Sequence, residues 1–167
     1  DFKLMEGLTF RVTGAASITN TDDKHYYGTK TQPGRGVSGL GDLTEDKYEY
    51  YQNSNILTYN KVFNKKHNLT LTGVAEQQLI QGRGAFISAQ GFSSDNTGIN
   101  DLGGASQINE RYNSSFKQSL NSWLGRVNYV YDNKYMITAS YRADGSSVFG
   151  ANNKWGYFPS TAIAWRL

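Results

Sequence analysis

Every second residue is apolar, aromatic or glycine from Trp123 to Tyr131 and again from Tyr135 to Ala143, and Tyr157, Ile163, Trp165 and Leu167 keep the same beat. The residues between them are mostly polar or small, among them Arg126, Asn128, Ser140, Arg142, Asp144 and Arg166. A period of two predicts strands with one face against oil and the other against something wet. A face that carries three arginines is no packed core. It meets open solvent or a water-filled lumen, as the wall of an outer-membrane β-barrel does.

Three earlier segments share the period less strictly. Leu8 to Thr19 places Leu8, Phe10, Val12, Gly14, Ala16 and Ile18 on one face and Arg11 on the other. Tyr50 to Phe63 and Leu69 to Ile80 are weaker, with Leu57, Tyr59, Phe63, Leu69 and Leu71 as their best apolar positions and Glu76 on the polar side. The expectation is all-β, with about six antiparallel strands.

The connections alternate in length. Asn20–Lys47 and Gln81–Leu120 are rich in Gly, Asn, Ser and Tyr and read as long external loops. Lys65-Lys66-His67 and Asp132-Asn133-Lys134 read as tight turns. Short turns at one end and long loops at the other are a barrel signature. Residues opposite each other must share a face. A three-residue turn therefore pairs Tyr131 with Tyr135, Ser122 with Asp144 and Arg126 with Ser140. The other turn is expected to pair Phe63 with Leu69 and Asn64 with Asn68. Tyr129, Tyr131, Tyr135 and Trp165 then gather at one height as candidates for a membrane girdle. Arg11, Glu76, Arg126, Arg142 and Asp144 are the lumen-facing candidates, with an Arg142–Asp144 pair on one face.

Composition narrows the function. The 167 residues contain no cysteine, so neither disulfides nor thiolate metal sites arise. Twelve tyrosines suit rings that want one wet and one apolar end. A net charge of +3 from scattered residues gives no reason to expect nucleic acid. No apolar run is long enough for a transmembrane helix, and strands cross membranes without one. No signal peptide or plug domain is recognisable in residues 1–167, and both ends read as cuts in something longer.

Candidate chemistry is sparse. His25 and His67 fall in a predicted loop and turn, with no convergent partners, so neither a catalytic residue nor a cofactor is expected. Asp22, Asp23, Asp95, Asn100 and Asp101 are the one candidate set for a loop Ca²⁺, at spacings unlike an EF-hand. Gly34-Arg35-Gly36 and Gly82-Arg83-Gly84 lack the Gly-Lys-Ser/Thr of a phosphate loop and read as turn glycines.

Three segments carry a resemblance: Ser122-Trp123-Leu124-Gly125-Arg126-Val127-Asn128-Tyr129, the run from Tyr135 through Arg142-Ala143-Asp144-Gly145-Ser146-Ser147-Val148-Phe149-Gly150, and Lys154-Trp155-Gly156-Tyr157-Phe158-Pro159-Ser160 with Ala164-Trp165-Arg166. Together they resemble the barrel of SusC/RagA-type TonB-dependent transporters of Bacteroidota. The resemblance implies a 22-stranded outer-membrane barrel of which this chain is part of the wall. It also implies a plug, a TonB partner, a SusD-like lipoprotein lid, contact with lipid and lipopolysaccharide, and import of glycans or peptides. The competing reading is a soluble β-sandwich that binds glycans or acts as an adhesive surface module. A sandwich would bury Tyr129, Tyr131 and Tyr135 against a second sheet.

Overall fold

The computed structural model describes residues 1–150 and 152–166. Seven strands form one sheet in chain order, each bonded to its sequence neighbours. They are β1 (Phe2–Met5), β2 (Leu8–Tyr27), β3 (Leu40–Phe63), β4 (His67–Phe92), β5 (Ala105–Tyr131), β6 (Tyr135–Ser146) and β7 (Trp155–Trp165). A single helical turn, α1 (Gln32–Arg35), and two 3-10 turns at Gly98–Asn100 and Leu102–Gly104 occupy the connections. Leu167, expected to extend the last strand, lies outside the described residues.

The six expected strands are present, and four of them are far longer than expected. β2, β3, β4 and β5 run for 20, 24, 26 and 27 residues, whereas about ten suffice to cross a bilayer. The long loops expected at Asn20–Lys47 and Gln81–Leu120 are therefore mostly strand, and only residues 28–39 and 93–104 leave the ladder. The reason is physical. The segment Ala105–Lys117 carries polar residues on both faces, Gln107, Asn109 and Arg111 on one and Ser106, Glu110 and Ser114 on the other, so the periodic signal is weak although the backbone bonds remain.

β1 was not expected. Its four residues are all exposed, and it returns to β2 through Glu6-Gly7. Gly7 has φ +77°, and a Cβ there would collide with the carbonyl oxygen of Asn60. The Asn60 amide donates to the Gly7 carbonyl at 2.7 Å. Only glycine fits a turn pressed this closely against β3.

The registers at the second half match the expectation. Tyr131 faces Tyr135, Arg126 faces Ser140 and Ser122 faces Asp144, and β7 continues with Trp165 opposite Tyr135. The first tight turn differs by one residue. It is Asn64-Lys65-Lys66, with Asn64 at φ 51° and Lys65 at 56°, matching Asp132 and Asn133 at 52° each. Phe63 consequently stacks on His67, in place of the expected pairing with Leu69. The correction is a slip of two positions, so every side chain keeps its expected face.

The chain forms two compact units by contact: Asp1–Ala16, Tyr50–Ile80 and Gln118–Leu167 make the first, Ser17–Glu49 and Gln81–Lys117 the second. Neither encloses a conventional core. Ala89 and Phe92 are the only buried hydrophobic residues among those described, and no large side chain is fully buried. A soluble sandwich would hide one apolar face against a second sheet, and no second sheet exists among the described residues.

Candidate functional site

In the first unit, the expected girdle residues lie in one row with two additions. Phe63 stacks on His67 at 5.1 Å and 5°. His67 lies 5.0 Å from Tyr131, Tyr131 stacks on Tyr135 at 6.4 Å, and Tyr135 stacks on Trp165 at 6.5 Å and 12°. These separations are close to one strand spacing, so the row crosses β3 to β7 ring by ring. Tyr129 joins it through its hydroxyl, 2.6 Å from His67 Nδ1. The Lys134 ammonium lies 5.9 Å from the Tyr135 ring centre and 5.8 Å from that of Trp165.

Neighbouring turns support the row. The Asp132 amide donates to Lys66 O at 2.7 Å, and the Arg166 amide donates to Lys134 O at 2.9 Å. His67 is a correction. Expected in a turn and off every strand face, it opens β4 and stacks in the row. A register slip, not a missing signal, concealed it.

The same face carries Trp123, Val127, Ile137, Tyr141, Tyr157 and Ile163, all exposed, Ile163 at 78%. Gly73 and Gly125 leave open space among them. A shallow cavity of about 500 Å³ results, lined by Phe10, Leu57, Gly73, Trp123, Gly125 and Tyr141.

The opposite face is a hydrogen-bonded polar surface. Arg142 Nε donates to both oxygens of Asp144 at 2.8 and 2.9 Å, and Nη2 reaches the Ser122 hydroxyl at 3.4 Å. Glu76 accepts from Gln52 at 3.0 Å and from Gln78 at 2.9 Å, so it is not an arginine partner here. Thr138 donates to Asn128 at 2.8 Å. Arg126 lies on this face opposite Ser140 and makes no ion pair or hydrogen bond among the described residues. Arg11 is separate from the others and forms a forked pair with Asp1 at 2.6 and 2.9 Å.

In the second unit the two short connections are clasped together. Asp95 accepts from the Tyr26 hydroxyl at 2.9 Å, from the Thr29 hydroxyl at 2.7 Å and from the Thr29 amide at 3.0 Å. The Thr29 hydroxyl and amide, with Tyr26, hold the Asp95 carboxyl below its ordinary value. Thr31 caps α1 by accepting from the Gly34 amide at 3.2 Å. The Phe92 amide donates to Ser38 O at 2.7 Å, and the Phe92 ring meets Tyr26 edge-on at 5.2 Å.

Three of the five candidate Ca²⁺ ligands have partners within the chain. Asp95 serves the clasp, Asp101 accepts from the Gly104 amide, and Asp23 pairs with His25 at 2.9 Å. Among the described residues no three His, Asp or Glu side chains gather to hold a metal.

Gly82 and Gly84 are not turn glycines. Both lie inside β4, and a Cβ on either would collide with its cross-strand neighbour: the Phe116 ring over Gly82, the Asp46 carboxylate over Gly84. Phe86, Tyr112 and Phe116, all inside an expected loop, and Tyr48, just beyond the other, carry the rings of this region. Their spacing in even steps was the available signal, and the polar residues on both faces masked it.

The chain matches no protein-family model. It is 37% identical over 171 aligned residues to TonB-dependent receptor P3 of Formosa agariphila, covering 99% of this chain and 16% of that protein. It is 32% identical to TonB-dependent receptor SusC of Bacteroides thetaiotaomicron over 127 residues, 76% of this chain and 12% of the relative. Among solved structures it resembles the RagAB peptide transporter with TM-score 0.78 and 26% identity, over 96% of this chain and 18% of that one. The chain thus spans between 12% and 18% of the length of these relatives. A ring belt, an unsealed apolar face, a hydrogen-bonded polar face and these likenesses converge: the chain belongs to the SusC/RagA-type TonB-dependent receptors, as a stretch of their β-barrel.

Proposed function

We propose that this chain forms part of the wall and external loops of an outer-membrane importer that takes up glycans or peptides. One observation carries the reading. A single sheet leaves a continuous apolar and aromatic face unsealed and ends it in a row of rings beside tight turns, the arrangement a strand wall needs in lipid. The chain performs no covalent chemistry and needs no cofactor. Its polar face lines the lumen, with Arg11, Glu76, Arg126, Arg142 and Asp144 on that side, and Tyr129, Tyr131, Tyr135 and Trp165 form the girdle. Lipid and lipopolysaccharide cover the other face.

β1 and β7 each have one neighbour in this sheet. In lipid a bare edge is intolerable, so further strands of a larger barrel complete both. A plug fills the lumen, and Arg126 takes a carboxylate from it. A SusD-like lipoprotein caps the outer end, and TonB supplies energy through the plug. No observation favours the sandwich reading.

The test is fractionation and uptake. Cells carrying the protein with this chain should show it in outer membranes, resistant to salt extraction, and should lose growth on the imported nutrient when TonB is deleted. Recovery of the protein as a detergent-free soluble species would overturn the reading.

A further inference from the structure

The second unit sorts its charges by face. On one face the Tyr48 ring meets Phe116 at 6.4 Å and the Phe86 ring meets Tyr112 at 5.5 Å. Gly82 and Gly84 lie on β4 with Phe86, between β3, which bears Tyr48, and β5, which bears Tyr112 and Phe116, and the two glycines seat the Phe116 ring and the Asp46 carboxylate. A Cβ on Gly84 would also come within 3.5 Å of the Ser114 hydroxyl. The two-residue period brings Glu110 to the same face as Tyr112. Tyr48, Tyr112 and Phe116 are exposed. Asp46 makes no hydrogen bond or ion pair among the described residues.

The cations are on the other face. Lys47, Arg83 and Lys117 line one shallow cavity there, which Gly82 and Phe116 border from the adjoining positions, and Lys47 is bonded to Glu49 at 2.6 Å. The same period places Arg111 with Asn113 and Ser115, and Lys24 with Asn20 and Asp22; Asn20, Asp22, Asn113 and Ser115 line a second cavity with Lys47 and Arg83, which Asp46 and Gly84 border from the adjoining positions. Among the described strand residues of this unit, no lysine or arginine shares the face of Asp46.

A face of four ring surfaces and an unpaired carboxylate, with no cation of its own, is electronegative throughout. Ring faces and carboxylates both attract a guanidinium or an ammonium. β3 and β4 have both neighbours in the sheet, as does β5, so no free strand edge is available there for a peptide backbone to extend. Recognition on this face must come from side chains. We infer that Asp46 and the rings of Tyr48, Phe86, Tyr112 and Phe116 bind a cationic side chain of an imported peptide, arginine or lysine. The inference rests on the importer reading and names the substrate class within it.

The experiment uses the intact barrel protein in detergent, with an arginine-containing peptide and its citrulline counterpart, which keeps the shape and loses the charge. Calorimetry is expected to show the arginine peptide binding about tenfold tighter, a preference that shrinks with added salt. Asp46→Asn should remove most of that preference, and Phe116→Leu, which keeps bulk over Gly82, should reduce it. Arg83→Gln, on the opposite face, should leave it intact. Heat-modifiable migration in gels verifies that each variant is folded. Equal affinities in the unsubstituted protein, or a preference that survives Asp46→Asn, would overturn the inference, as would binding of a neutral oligosaccharide but neither peptide. Those results leave the importer reading standing. That reading fails separately, if the protein is absent from the outer membrane or uptake is independent of TonB.

Discussion

Arg142 and Asp144 stand two residues apart on one face of β6, with the arginine Nε 2.8 Å from one carboxylate oxygen and 2.9 Å from the other. Asp144 is the more sheltered partner and Arg142 is nearly half exposed. Solvent screening therefore limits the pair. A double-mutant cycle with Arg142→Gln and Asp144→Asn, read by urea unfolding from lipid vesicles, should give a coupling of about 0.5–1 kcal/mol. Zero coupling would mean that the pair yields to other partners in the assembled barrel.

Ile163 separates lipid from water most cleanly. It is 78% exposed in the chain alone. On a soluble surface Ile163→Arg would be harmless. Facing the bilayer, it should cost about 2–4 kcal/mol if it lies near the midplane. Vesicle unfolding of the two proteins compares them directly, and an unchanged midpoint would deny that this face meets lipid.

The ring row predicts graded losses at His67. His67→Phe keeps the stack between Phe63 and Tyr131 and loses the contact with the Tyr129 hydroxyl, at a cost of about 1 kcal/mol. His67→Ala loses the stack as well and should cost about 1 kcal/mol more. The same unfolding assay ranks them, and equal effects would show that the stack contributes nothing.

Gly7 tolerates no side chain. Its φ of +77° and the Asn60 carbonyl beside it both exclude a Cβ. Gly7→Ala should cost about 1–2 kcal/mol from the conformation alone, with the collision added. The yield of folded, heat-modifiable protein measures this. A normal yield would show that the β1–β2 turn can move away from β3.

The clasp at Asp95 responds to acid. Its carboxyl is held below the ordinary 3.8 by Thr29 and Tyr26. A carboxyl depressed in the folded state stabilises fully above its unfolded value and loses that contribution as pH falls through the folded one. Proteolysis within residues 93–104 should therefore be slow at neutral pH and accelerate below about pH 4. Asp95→Asn should make it fast and nearly independent of pH. Equal rates at both pH values in the parent protein would remove Asp95 from the clasp.

Legibility followed the solvent. Where apolar residues alternate strictly with polar ones, as from Trp123 to Ala143, alternation gave strands, faces and the Tyr131–Tyr135 register directly. Where both faces carry polar residues, as from Ala105 to Lys117, the pattern weakened and asparagine and serine imitated a loop. Neighbouring backbone, not side-chain periodicity, holds those residues extended. The row through Tyr131, Tyr135 and Trp165 was readable because period and turn length agreed. His67 was not, because Asn64 and Lys65 adopt positive φ and begin the turn one residue early. Gly82 and Gly84 were misread because a glycine that seats a neighbour's side chain looks, in sequence, like one that bends the chain.

The two three-residue turns, Asn64-Lys65-Lys66 and Asp132-Asn133-Lys134, have a consequence for how such walls change over generations. An odd-numbered turn brings the returning strand back with its sides unreversed. A hairpin that carries one is thus a self-contained tile: copied or excised whole, it leaves every other strand's inside and outside as they were. Gain or loss of a single turn residue would evert the strand that follows. Walls of this kind can widen two strands at a time with their inner and outer surfaces already sorted.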